Sequence, residues 1–190
     1  MVKVMNSEGS KMNILITGVG GFIASNIAKR FISEGYHVTG VDDFSGGKRE
    51  NVPVEVDLIE GDLAEQETID RLPASCSMIL HLAGQSSGEM SFDDPILYLR
   101  KNSISTLNLI KYGINNGAKK LVFASSVSIY SAVGDRQLVE MDVTDPSSCY
   151  GVSKLAAEGY LRIYSKQLPY VNMRMFNVYG PGQDLDNLRQ

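Results

Sequence analysis

The sequence predicts a doubly wound α/β fold, in which a parallel sheet is covered by helices on both faces. Two observations predict it. Short apolar runs alternate regularly with segments of helical period along the chain, the pattern of successive strand-helix-strand units with right-handed crossovers. The first apolar run also leads directly into a glycine turn and a helix start, Ile14-Leu15-Ile16-Thr17-Gly18-Val19-Gly20-Gly21-Phe22-Ile23-Ala24. With 190 residues, 43% hydrophobic and 21% charged, the chain has the composition of an ordinary globular protein built on one core.

The elements follow in order. Residues 12–17 form the first strand, and Phe22, Ile23, Ile27, Phe31 and Ile32 recur near helical spacing over 22–33, until Glu34-Gly35 ends the helix. Residues 37–41 alternate as a second strand that stops at Asp42-Asp43, before the loop 44–49. A third strand over 54–60 runs into Gly61-Asp62-Leu63, with a short helix over 65–72 behind it. The apolar run 78–82, bounded by Pro73 and Gly84, reads as a fourth, buried strand. Asp94 as cap and Pro95 at the first helical position announce a long helix over 94–116, closed by Gly117. Residues 120–125 are a fifth strand, and residues 126–147 lack a clear period. A helix over 148–168 cannot continue through Pro169, and 170–176 supply a sixth strand. Both long helices are apolar over more than one stripe. Either a second face meets a partner chain or a missing domain, or one broad face packs wholly inside.

Composition excludes several classes. The net charge of -4 gives no footprint for nucleic acid or an anionic membrane, and no apolar run approaches the roughly 20 residues of a membrane helix. Cys76 and Cys149 are too few for a disulfide framework and fit no zinc spacing, which points to a reducing cytoplasm. With His37 and His81 the only histidines, no metal constellation emerges, and the absence of a Gly-x-Ser-x-Gly elbow disfavours a serine hydrolase.

The candidate site residues lie at strand ends. Gly18 and Gly21 allow a phosphate to approach the backbone at a helix N-terminus, and Ala24 keeps the third small position of a dinucleotide fingerprint. The bland alternative is a tight strand-to-helix turn. Asp42, about 20 residues further on, suits the two hydroxyls of an adenosine ribose and favours NAD over NADP, or else it only starts a turn. Asp62 accepts from an adenine amino group or shapes a Gly-Asp turn. Leu82-Ala83-Gly84 lets backbone pass close to the cofactor, while His81 reads as a scaffold histidine. Tyr150 and Lys154 stand at i and i+4 on one helix face, where the ammonium is expected to lower the phenol pKa and hold a ribose. Ser126, at the end of the fifth strand, is expected to share a substrate oxygen with Tyr150.

These motifs occur in the order found in extended short-chain dehydrogenases/reductases. The chain resembles the NAD-dependent nucleotide-sugar epimerases and dehydratases among them, and most nearly the UDP-sugar 4-epimerases. Beyond the glycine turn, the resemblance rests on Val41-Asp42-Asp43-Phe44-Ser45, Gly61-Asp62-Leu63, His81-Leu82-Ala83-Gly84, Ser125-Ser126, Tyr150-Gly151-Val152-Ser153-Lys154, and Arg174-Met175-Phe176-Asn177-Val178-Tyr179-Gly180-Pro181-Gly182. It implies a Rossmann NAD-binding domain over 12–182, after an N-terminal extension 1–11. Residues 183–190 would begin a smaller substrate domain largely absent from this chain. It further implies that Phe22, Ile23, Asp43, Phe44, Ser45, Leu63 and Asn102 lie at the cofactor, and that Asn177 contacts the nucleotide diphosphate of the sugar. A homodimer through the two long helices is implied as well. Ala124 replaces a serine of some epimerases, and Ser126-Val127 lacks the Thr-Asp-Glu run of sugar 4,6-dehydratases, so epimerisation leads. A dehydratase, a 4-ketoreductase and a non-catalytic NAD-binding module are the alternatives. Because the chain ends soon after the Gly-Pro-Gly turn, it is expected to be a truncated representation that binds NAD with little or no turnover.

Overall fold

In the computed structural model, six parallel strands stand in the order β3-β2-β1-β4-β5-β6. It describes residues 12–130 and 136–183, so the expected extension 1–11 and residues 184–190 lie outside the described residues. The strands are β1 (Asn13–Thr17), β2 (His37–Asp42), β3 (Asp57–Glu60), β4 (Met78–His81), β5 (Lys120–Ser126) and β6 (Tyr170–Met175). The helices are α1 (Phe22–Ser33), α2 (Gln66–Asp70), α3 (Pro95–Tyr98), α4 (Ser105–Asn115) and α5 (Cys149–Ile163). The strand order reverses between β1 and β4, where open α/β sheets hold ligands at their carboxyl edge.

Successive side chains of a strand point to opposite faces, and β1 divides the core accordingly. Leu15 joins Ile79, Leu121, Phe123, Leu109 and Leu161 on one face. Ile14 and Ile16 join Val38, Leu80, Ala24 and Ala28 on the other. All of these side chains are buried.

Three elements differ from their expected form. β3 starts at Asp57 and not at residue 54. Val54 is 95% exposed, and a turn in which the Val56 amide donates to the Pro53 carbonyl occupies that stretch. α5 stops at Ile163, short of residue 168. The expected long helix over 94–116 is interrupted: α3 and α4 are joined by a π-helical turn over Leu99–Ile104. The Ser105 and Thr106 hydroxyls donate to the Lys101 and Asn102 carbonyls, competing with the backbone amides for acceptors inside the turn.

The helix that carries Tyr150 and Lys154 is fixed on both sides of that pair. Ser148 caps α5 by accepting from the Gly151 amide at 3.1 Å. One turn beyond Lys154, buried Glu158 accepts from Ser125 at 2.5 Å and from two nitrogens of Arg174 at 3.0 and 2.7 Å. A bidentate pair of this kind is directional, so α5 is held in register with both β5 and β6.

Candidate active site

Two adjoining cavities, of about 140 and 660 Å³, run along the carboxyl edge of the sheet and share Gly18, Gly21, Leu82 and Gly84 in their walls. The larger volume is in the range of small-molecule sites. The smaller cavity receives Asp42, Asp43, Ser45, Asp62, Leu63 and Ala83. The larger receives Phe22, Ile23, Ser126, Tyr150, Lys154 and Asn177. Phe44 lines neither cavity. Its ring lies 4.4 Å from the Arg49 guanidinium, and its backbone takes a positive φ of 56°.

Gly18 adopts φ +72°, and a Cβ there would come within 2.8 Å of the Ala83 nitrogen. Glycine thus lets the first turn and the 82–84 loop run side by side. α1 begins without a side-chain cap and with no acidic residue in its first turn, which leaves its leading amides available to an anion. Asp42 is oriented by two backbone amides: one carboxylate oxygen accepts from Gly20 at 2.8 Å, the other from Phe44 at 2.7 Å. A carboxylate has about four acceptor positions, so two remain for a ligand. Burial, aided by the Asp43 charge, pushes the Asp42 carboxyl above its ordinary range, and the two amides pull it back. This cradle, with a carboxylate beside it, fits the pyrophosphate and ribose of a dinucleotide.

Asn102 lines neither cavity. Fully buried, it accepts from the Gln85 amide at 2.8 Å and donates to the Gln85 carbonyl at 3.1 Å and to the Ser153 hydroxyl at 2.8 Å. It therefore holds Gln85, which lines both cavities, against α5. His81 is tied equally well. The Thr106 hydroxyl donates to the Asn102 carbonyl, so it accepts from His81 Nε2, 2.9 Å away. That leaves Nδ1 to accept from the Thr17 hydroxyl at 2.8 Å. Burial, and secondarily the Lys154 charge, pull the imidazole down to about 3, which keeps it neutral.

At the far end Ser126, Tyr150 and Lys154 converge. The Lys154 ammonium donates to the Ala124 carbonyl at 3.0 Å and lies 5.9 Å from the Tyr150 ring centre. The expected direction of the phenol shift is overturned. Burial raises the Tyr150 pKa, a hydrogen bond with Ser126 opposes this, and Tyr98, whose ring packs edge-on at 6.3 Å, adds to the rise. Lys154 is itself pulled down by burial, to about 8. Spacing brought the two side chains to one face but carried no information about how deeply that face is buried.

Sequence reasoning missed several lining residues. Lys101 and Gln85 belong to no short motif and are brought in by the π turn and the Asn102 clamp. Ser128 donates its amide to Ser126 Oγ and accepts from that hydroxyl, both at 3.1 Å. Its proximity to Ser126 was the one available signal. Among the described residues no His/Cys/Asp/Glu group could hold a metal, and no helix is long and apolar enough to cross a membrane.

Sheet order, a glycine cradle with a carboxylate beside it and a Ser-Tyr-Lys trio define an NAD-dependent protein of the short-chain dehydrogenase/reductase class. The chain belongs to the NAD dependent epimerase/dehydratase family, which it matches over residues 14–189, and its cofactor is NAD. It is 33% identical over 171 residues to a UDP-glucose 4-epimerase of Azospirillum brasilense, covering 88% of this chain and 49% of that protein. A UDP-glucuronic acid decarboxylase of Xenopus tropicalis is 30% identical, with 96% and 45% covered. Among solved structures, the UDP-glucose 4-epimerase of Thermus thermophilus in complex with NAD superposes with a TM-score of 0.86 at 37% identity, over 91% of this chain and 58% of that one. The chain thus spans about half the length of these relatives.

Proposed function

We propose that this chain is the cofactor-binding and catalytic part of an NAD-dependent nucleotide-sugar 4-epimerase. The observation that carries the reading is the meeting of Ser126, Tyr150 and Lys154 in a cavity whose wall continues into the Gly18–Gly21 cradle and on to Asp42. The cradle and the first turn of α1 hold the pyrophosphate, and Asp42 takes the adenosine ribose. NAD, held by these residues, would supply the hydride acceptor and donor for sugar C4. Tyr150 accepts the proton of the sugar 4-hydroxyl and gives it back after the sugar has turned its other face. Lys154, a cation 5.9 Å from the ring, favours the phenolate against the burial that opposes it. Ser126 donates to the same sugar oxygen, and Asn177 meets the diphosphate.

The relatives named for UDP-sugar epimerisation support UDP as the nucleotide. Kinship with a UDP-glucuronic acid decarboxylase supports a second reading, another sugar-nucleotide conversion. Product analysis separates them. With UDP-glucose or UDP-galactose and NAD, the whole protein should interconvert the C4 isomers without net NADH. From UDP-glucose a keto-deoxy sugar would replace the epimerase reading, as would a pentose with carbon dioxide from UDP-glucuronic acid, or stoichiometric consumption of NADH supplied with a 4-keto sugar nucleotide.

A homodimer is part of the same proposal. Ile96, Leu99 and Ile104, on α3 and the π turn, and Val152 and Ile163, on α5, expose apolar surface at 63, 47, 39, 54 and 69%, which suits a face covered by a second copy. Sedimentation should give twice the chain mass, and Val152→Arg should give the monomer; a monomeric parent protein would contradict the assignment.

A further inference from the structure

The smaller cavity is lined by three carboxylates, Asp42, Asp43 and Asp62, and among its described lining residues one cationic side chain, Lys101. Lys101 comes from the π turn, whose wider winding turns both Lys101 and Ser105 toward this cavity. Its ammonium pairs with Asp43 Oδ2 and, at 2.9 Å, with Asp62 Oδ2. The lysine side chain is only 16% exposed. The other oxygen of each carboxylate is already engaged. Asp43 Oδ1 accepts from the Ser45 amide and hydroxyl at 2.9 and 2.6 Å, and Asp62 Oδ1 from the Ala64 amide at 2.9 Å. Lys101 is therefore the common point that fastens the loop ends beyond β2 and β3 to the helix across the cavity mouth. Arg100 reaches Asp62 only at 3.8 Å and is 45% exposed.

We infer that Lys101 is a positioning residue for the adenosine half of the dinucleotide, which bolts Asp43 and Asp62 in place and balances their charge so that an anionic pyrophosphate can enter beside three carboxylates. The inference rests on the reading of the groove as the NAD site. In a confined, partly desolvated cavity, unbalanced carboxylates repel one another and the incoming diphosphate, and this repulsion is screened by salt. A residue acting only through packing gives no such salt signature.

Titration of the chain with NAD tests this. In about 0.05 M salt, Lys101→Met should weaken NAD binding roughly 10-fold, and the difference should shrink to about 3-fold or less near 1 M, where the screening length falls to about 3 Å. Lys101→Arg should restore affinity to within about 3-fold, because it keeps the charge and can still bridge two carboxylates. The melting temperature of Lys101→Met should fall with the two lost ion pairs while that of Lys101→Arg stays close to the unsubstituted chain, so binding is read well below both. Equal NAD affinity for Lys101→Met would overturn the inference, as would a loss that is independent of salt and not rescued by Arg. Failure of the unsubstituted chain to bind NAD would instead remove the dinucleotide reading, and this inference with it.

Discussion

Tyr150→Phe, which deletes one oxygen, is expected to lower sugar interconversion by the whole protein by about 10³-fold or more while leaving NAD affinity within about 3-fold. The phenol is the one group in the larger cavity placed to exchange a proton with a substrate hydroxyl while backed by both Ser126 and a buried ammonium. Lys154 cannot replace it, because a charged ammonium has donors only and no lone pair to accept the substrate proton. The ring itself is retained, so its edge-on packing against Tyr98 survives and no loss of stability is anticipated. Turnover at saturating sugar, measured beside an NAD titration of the same preparation, separates the two effects. A variant that keeps near-normal turnover would remove Tyr150 from the mechanism, and one that loses NAD would make it a cofactor residue only.

Asp42→Ala is expected to weaken NAD binding by about 10²-fold, the equivalent of about 3 kcal/mol and consistent with losing two charge-assisted hydrogen bonds to a ribose. The same change should narrow the preference for NAD over NADP by about 10-fold, since the carboxylate that repels a 2'-phosphate is gone. Part of the loss is indirect, because Asp42 also accepts from the Gly20 and Phe44 amides and so couples the glycine turn to the loop after β2. Asp42→Asn separates the two contributions. Its amide oxygen can still accept from one backbone amide, so the turn is better preserved, yet the charge is absent. Both cofactors titrated against both variants give the answer. Unchanged NAD affinity in a folded Asp42→Asn variant would show that this carboxylate does not read the ribose.

The legible parts of the molecule were those in which local pattern and tertiary environment agree. The run from Ile14 to Ala24 carries apolar strand, glycine turn and helix start in one stretch, and α1 spans Phe22–Ser33 as its periodicity requires. Tyr150 and Lys154 share a face because a helix of any burial brings i and i+4 together. Environment-dependent features were not legible. Val54 is β-branched and yet stands in solvent, because the turn at Pro53 decides the local path. Residues 94–116 read as one helix because an apolar stripe does not distinguish an i+4 from an i+5 hydrogen bond. The distinction lies in the Ser105 and Thr106 hydroxyls, and it is this turn that brings Lys101 to the cavity and Asn102 to Gln85. The direction of the Tyr150 pKa shift depends on how far β5, Tyr98 and α5 together exclude water, which no pair spacing records.

The central claim is that hydride leaves and returns to the same carbon while Tyr150 moves the proton. Its most direct test is incubation of the whole protein and NAD with UDP-glucose bearing deuterium at C4, followed by analysis of the product by magnetic resonance and mass. The account predicts UDP-galactose with deuterium retained at C4 and no accumulated NADH. Loss of the label to solvent, or a product altered at a carbon other than C4, would contradict it.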